Sequence, residues 1–275
     1  MRFMPRLFVT AALLFVAGCS QPTAMTPQVS AAEIEAERRN QQQLAHGTVK
    51  LNYDDISYGK REKIAMQKHL QNVVDKMAPE AANMCRELQG PEGNCNMYVE
   101  LSDDGEGINA YADGTKIVIF PTMVDFAKNE THLALVVAHE YTHHFMRHVQ
   151  SSQGNVLAGA LLGTLADALA ASQGVGTQGQ FGNMGAQAAL LSYSPSFEHE
   201  ADYIALYILA RAGFPIEEAP EFWRQMARYN PEGIYNRTTH PTTPERFASL
   251  EKTVREIRTK QKNGERLLPN LKPKS

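Results

Sequence analysis

The sequence predicts a mainly α-helical α+β domain on three observations. An apolar run ends in His139-Glu140-Tyr141-Thr142-His143, a second apolar helix opens at Ser194-Pro195, and three short strand-like runs lie between residues 97 and 120. With 275 residues, 43% of them hydrophobic, the chain can bury a substantial core, and one domain of this size is ordinary. A formal net charge of −3, with no basic stripe interleaved with aromatics, speaks against nucleic acid as a partner.

At the N-terminus Arg2 and Arg6 precede an apolar stretch, Leu7 to Ala17, that is too short to span a bilayer and is followed by small residues. These are the marks of a secretory signal. Its end, Val16-Ala17-Gly18-Cys19, resembles the lipobox of bacterial lipoproteins, which implies cleavage before Cys19 and a lipid anchor on that residue. Ser20, where Asp would signal inner-membrane retention, points to the periplasmic face of the outer membrane. Loss of residues 1–18 removes two basic and no acidic residues, taking the net charge from −3 to −5. Residues 19–48 then read as a lipidated tether and polar arm. Thr23 to Ser30 is the tether, and Ala31 to Leu44 is a marginal helix or flexible stretch that holds the domain off the membrane. The catalytic domain is expected over 49–262, with a C-terminal tail over 263–275. In an oxidising compartment the remaining cysteines, Cys85 and Cys95, are expected to pair across a loop containing Gly90-Pro91 and Gly93.

Within the domain, Ile64, Leu70, Val73, Val74 and Met77 give Lys60 to Met77 a helical period. Met97 to Leu101, Ile108 to Ala112 and Thr115 to Phe120 read as strands, the last two joined by the hairpin signal Asp113-Gly114. The run from His132 to Ala138 is apolar enough to be buried. It leads into His139 and His143, which lie four apart on one helix face. Buried imidazoles need partners, and a zinc ion is an economical one. Glu140, between the two, is placed to take a proton from an attacking water rather than to ligate. Downstream, Ser194-Pro195 opens a helix on which Glu198 and Asp202 share a face, so acidic side chains are at hand for a third ligand. Two histidines and one carboxylate leave a coordination position open, as catalytic zinc sites do. Between these motifs, Val156 to Ala171 is apolar, with Gly159 and Gly163 at packing spacing, and the Gly- and Gln-rich run Gly174 to Gly185 follows. Residues 154–192 are read as a helix and mobile lid over the cleft rather than a membrane insertion, because Asp167 interrupts a run short of about 20 residues. His46, His69 and His132 carry no partner pattern, and helical phase turns His144, His148 and His199 away from the ligands. His240 precedes a helix started by Thr243 and Pro244.

Asn109-Ala110-Tyr111-Ala112, the strand Lys116 to Phe120, HEYTH with Arg147-His148 after it, Glu198-x-x-Ala201-Asp202, Arg211-Ala212-Gly213-Phe214, and Thr239-His240-Pro241 with Arg246 occur in one order. Over roughly residues 50–255 that order resembles HtpX-like and CAAX-prenyl-protease-like gluzincin metallopeptidases. Two residues depart from the usual pattern, Thr142 for a small residue and Pro195 for Arg, and neither is a ligand or the base. The resemblance implies a zincin-like fold with a small sheet edging the cleft. It makes Glu198 the third ligand, excludes Glu200, and has Asp202 orient a ligand histidine. It also implies that His240 belongs to the active site, either stabilising the oxyanion or occupying the fourth metal position at rest; capping of the following helix is the plainer alternative. The expected protein is an endopeptidase with one Zn2+ per chain, lipid-anchored in the envelope. Its substrates are polypeptides, misfolded or misassembled periplasmic and outer-membrane proteins, and outer-membrane assembly machinery is a possible partner. The competing expectation is a non-enzymatic, chaperone-like assembly lipoprotein with a latent zinc site.

Overall fold

The computed structural model of the chain describes residues 22–45, 58–102, 107–173, 176–178, 180, 194–229, 240 and 243–273, and the side chains of all these except 43–45 and 153–163. The helices are α1 (Ala31–Ala45), α2 (Lys60–Gln89), α3 (Pro121–Phe126), α4 (Glu130–Phe145), α5 (His148–Ser172), α6 (Pro195–Arg211), α7 (Ala219–Tyr229) and α8 (Pro244–Lys262). With β1 (Val99–Leu101), β2 (Ala110–Ala112) and β3 (Ile117–Ile119), they make the mainly α, α+β architecture read from the sequence.

The centre of the molecule is α4 laid against α6. Both are buried nearly all round, as their unbroken apolar content requires. Asn129 caps α4 by accepting from His132 N at 2.9 Å. Ser194 caps α6, with Pro195 at its first turn, and Thr243 caps α8, with Pro244 in the same role. Further packing comes from α2 across α4 and from α8 against α6.

β3 is the middle strand, parallel to β1 and antiparallel to β2. The Asp113-Gly114 hairpin forms because Asp113 Oδ1 accepts from Thr115 N (2.7 Å) and Lys116 N (2.9 Å), while Gly114 takes φ +95° without a Cβ clash. All three strands are shorter than their sequence runs.

Other expectations need correction. α2 does not end near Met77 but continues through Pro79 to Gln89, because Met77, Ala81, Met84 and Cys85 bury a continuous face that outweighs the lost backbone bond. Its far end reaches the sulfur partner expected for Cys85, with Cα atoms of Cys85 and Cys95 5.6 Å apart, a span that a disulfide bridges. The polar arm is not a free spacer. α1 packs on α7 and α8, and Glu37, 8% exposed, accepts two hydrogen bonds from Arg224 at 2.8 and 3.0 Å. A helix with little apolar content docks here by matching charge. The residues before it are fixed too: Met25 N donates to Asn270 O, and Lys272 N donates to Thr23 O. The C-terminal tail is thus part of the domain surface. α5 starts at His148, earlier than expected, and exposes Leu165 and Leu169; no described helix is long and apolar enough to cross a membrane. Residues 174, 175, 179 and 181–192 of the proposed lid, together with Cys19 and His46, lie outside the described residues.

If Cys85 and Cys95 pair, the link stabilises the fold by up to roughly 3 kcal/mol by shortening the unfolded chain's loop. Mass spectrometry of non-reduced protein isolated from its native host should find the cross-linked peptide, and Cys85→Ser should lower the melting temperature.

Candidate metal centre

His139, His143 and Glu198 project from the α4–α6 contact, and His240 reaches them from the segment before α8. One donor atom from each of the four lies within 4.8 Å of the others. Nε2 of His139 and Nε2 of His143 are 3.1 Å apart, and Glu198 oxygens lie 3.5 and 3.3 Å from them. His240 Nδ1 is 3.3 Å from His139 Nε2 and 3.1 Å from Glu198 Oε1. A tetrahedral ion with bonds of about 2.0–2.1 Å separates its ligand atoms by about 3.3 Å. The donor set therefore fits such an ion, and among the described residues four groups, not three, converge on its position.

Burial shapes the chemistry. His139, His143, Glu140 and Glu198 are at most 2% exposed. Burial alone pushes the Glu198 carboxyl up, but His240 and Arg246 beside it hold it well below the usual carboxylate range. Arg246 Nη1 is 3.0 Å from Glu198 Oε2, and its Nε and Nη2 donate to Asp202 at 2.7 and 2.8 Å. Asp202 Oδ1 in turn lies 3.0 Å from His139 Nδ1, a placement that would keep the proton on Nδ1 and present Nε2 to a bound metal. Burial pulls His139 down, yet its bonds to Asp202 and Glu198 prevail and raise it to about 9. Desolvation keeps His143 well below the ordinary imidazole value. Burial also raises the Glu140 carboxyl, which accepts from the Ala112 backbone N–H of β2 and lies 3.4 Å from His240 Nε2.

Three contributors were not assigned roles from the sequence. Trp223 of α7 stacks under the Arg246 guanidinium at 4.3 Å and edge-on to His139 at 5.2 Å. Arg246 appears in the sequence only as part of a motif; its ion pairs require α8 to lie against α6. His148, expected to point away, has its Nδ1 3.0 Å from His143 Nδ1. The helical phase argument fails because α4 and α5 are not one helix: Arg147 between them takes φ 61°, ψ 31°, the left-handed region, and swings His148 back. A non-glycine residue there gives no sequence signal. His144 stacks on Tyr141, and His199 lies 4.0 Å from Glu245, both apart from the cluster as helical phase predicts. His132 is buried against Phe222.

The profile described as Peptidase family M48 matches residues 65–254, which include all four donors. Mitochondrial metalloendopeptidase OMA1 of Saccharomyces cerevisiae is 28% identical over 160 residues, 55% of this chain and 45% of that protein. Beta-barrel assembly-enhancing protease of Escherichia coli K12 is 30% identical over 167 residues, 56% of this chain and 34% of that protein. The chain thus spans less than half the length of these relatives. With the profile match covering most of its length, the chain belongs to peptidase family M48.

Proposed function

We propose that this chain is a zinc-dependent endopeptidase of the HtpX-like and CAAX-prenyl-protease-like gluzincin type, with His139, His143 and Glu198 as ligands. The observation that carries this reading is the convergence of donor atoms from His139, His143, Glu198 and His240 within 4.8 Å of one another, with Glu140 alongside. When bound, the ion polarises the scissile carbonyl and acidifies the attacking water. Glu140 receives that water's proton and passes one to the leaving amine. Its raised carboxyl value suits both steps, since a base with a pKa nearer neutrality can also return the proton. The Ala112 N–H that steadies Glu140 belongs to β2, an outer strand of the sheet, so an extended polypeptide adding along β2 passes the reacting position.

The reading extends to place and substrate. The name of the bacterial relatives, beta-barrel assembly-enhancing protease, supports substrates among misfolded or misassembled periplasmic and outer-membrane proteins, and assembly machinery as a partner. A lipid on Cys19 fits the same envelope location. Only four residue steps separate Cys19 from Thr23, at most about 14 Å of extended chain. With Thr23 docked, the anchor holds the domain against the membrane rather than away from it. A chaperone-like lipoprotein with a latent site would have no use for a carboxylate set beside the ligands as Glu140 is.

His240 Nδ1 lies 3.3 Å from His139 Nε2 and 3.1 Å from Glu198 Oε1, which supports the resting role, fourth position filled, over a purely capping one; Thr243 already caps α8. Glu140→Gln should retain zinc and melting temperature but lose proteolysis by at least ~10²-fold, and unchanged cleavage by the purified variant would remove the base assignment. His240→Ala should raise basal cleavage severalfold. A lower kcat at unchanged zinc content would instead assign His240 to the transition state.

A further inference from the structure

His148 and Glu200 sit beyond the ligand shell, each 1% exposed, and the chemistry above makes no use of them. His143 Nδ1 lies 3.0 Å from His148 Nδ1, and His148 Nε2 lies 2.9 Å from Glu200 Oε2. The other carboxylate oxygen, Oε1, accepts from the backbone N–H of Thr23 and of Ala24, each at 2.6 Å, and from the Thr23 hydroxyl at 3.1 Å. Phe197 stacks on the His148 ring at 4.4 Å and 15°, fixing its plane.

The proton positions in this row follow from one end. A His143 that ligates through Nε2 carries its proton on Nδ1 and donates to His148 Nδ1. His148 must then be neutral with its proton on Nε2, which it donates to Glu200. Every hydrogen bond points the same way, toward a carboxylate steadied by backbone donors. The far end is the docked N-terminal segment, itself paired with the C-terminal tail through the Ala24–Leu271 bridge and the Met25–Asn270 and Lys272–Thr23 bonds.

We infer that His148 and Glu200 are positioning residues that orient His143 for the metal, and that docking of the Thr23–Ala24 segment on Glu200 supports metal affinity from the protein's N-terminus. The inference rests on the zinc-site reading above. It gives the segment next to the anchor a role in the metal centre and explains a buried carboxylate that has no arginine or lysine partner among the described residues.

The test is zinc affinity of the purified mature protein, measured by competition with a chromophoric chelator, with circular dichroism and melting temperature recorded for each variant. His148→Leu should weaken zinc binding about 10- to 100-fold, the usual effect of losing a group that orients a ligand histidine. His148→Gln, which can accept at its amide oxygen and donate from its NH2, should recover part of the loss. A packing role predicts the opposite ranking, because Leu fills the apolar contact with Phe197. The double variant Thr23→Pro, Ala24→Pro removes both backbone donors and leaves every residue around the metal intact; it should weaken zinc binding in the same direction. Wild-type affinity in folded His148→Leu overturns the relay. Should that variant not fold, wild-type affinity in the proline variant overturns it. Failure of the wild-type protein to bind zinc overturns the metal-site reading itself.

Discussion

The burial of the Glu198 carboxylate where α4 crosses α6 is the constraint on which the rest of the structure depends. A charged group 1% exposed is tolerable only when surrounded by donors and opposite charge. His139 and His143 approach from one side, Arg246 from another, and His240 closes a third. Each comes from a different place in the chain order, so the need to satisfy one carboxylate fixes how α4, α6 and α8 pack.

The two histidines proposed as ligands are held in different ways. His139 is backed by Asp202, which Arg246 grips through two hydrogen bonds and which stays ionised despite burial because that guanidinium is beside it. This support is ionic and lies wholly within α6 and α8. His143 is backed by the His148 imidazole and then by a carboxylate that ends on backbone N–H groups. An ion pair resists rearrangement because separating buried charges is costly, whereas backbone donors hold only while their segment stays docked. The difference is why the inferred dependence on the docked Thr23–Ala24 segment falls on the His143 side of the centre.

The same logic accounts for the molecule's outer elements. α1 has few apolar side chains to bury, yet Glu37 and Arg224 fasten it to α7, and Lys252 of α8 bonds Glu33 at 2.8 Å near its start. α7 carries Trp223, whose ring lies under Arg246 and meets His139 edge-on. A polar helix at the periphery thereby braces the element that packs beneath the ligand set.

What the sequence determined by itself was local. The spacing of His139 and His143, the Ser-Pro and Thr-Pro helix starts, the acidic face of α6 and the Asp113-Gly114 turn are each set by interactions within a few residues, so period and composition reveal them. Tertiary structure decided the rest. The turn at Arg147 depends on a left-handed backbone that its residue type does not announce, and it alone brings His148 to His143. Arg246, Trp223 and the Thr23–Ala24 segment act across separations of 23 to 177 residues, counted from Trp223–Arg246 up to Thr23–Glu200. Such partners are chosen by which buried charges remain unsatisfied once the helices pack, and that is known only when the core has formed.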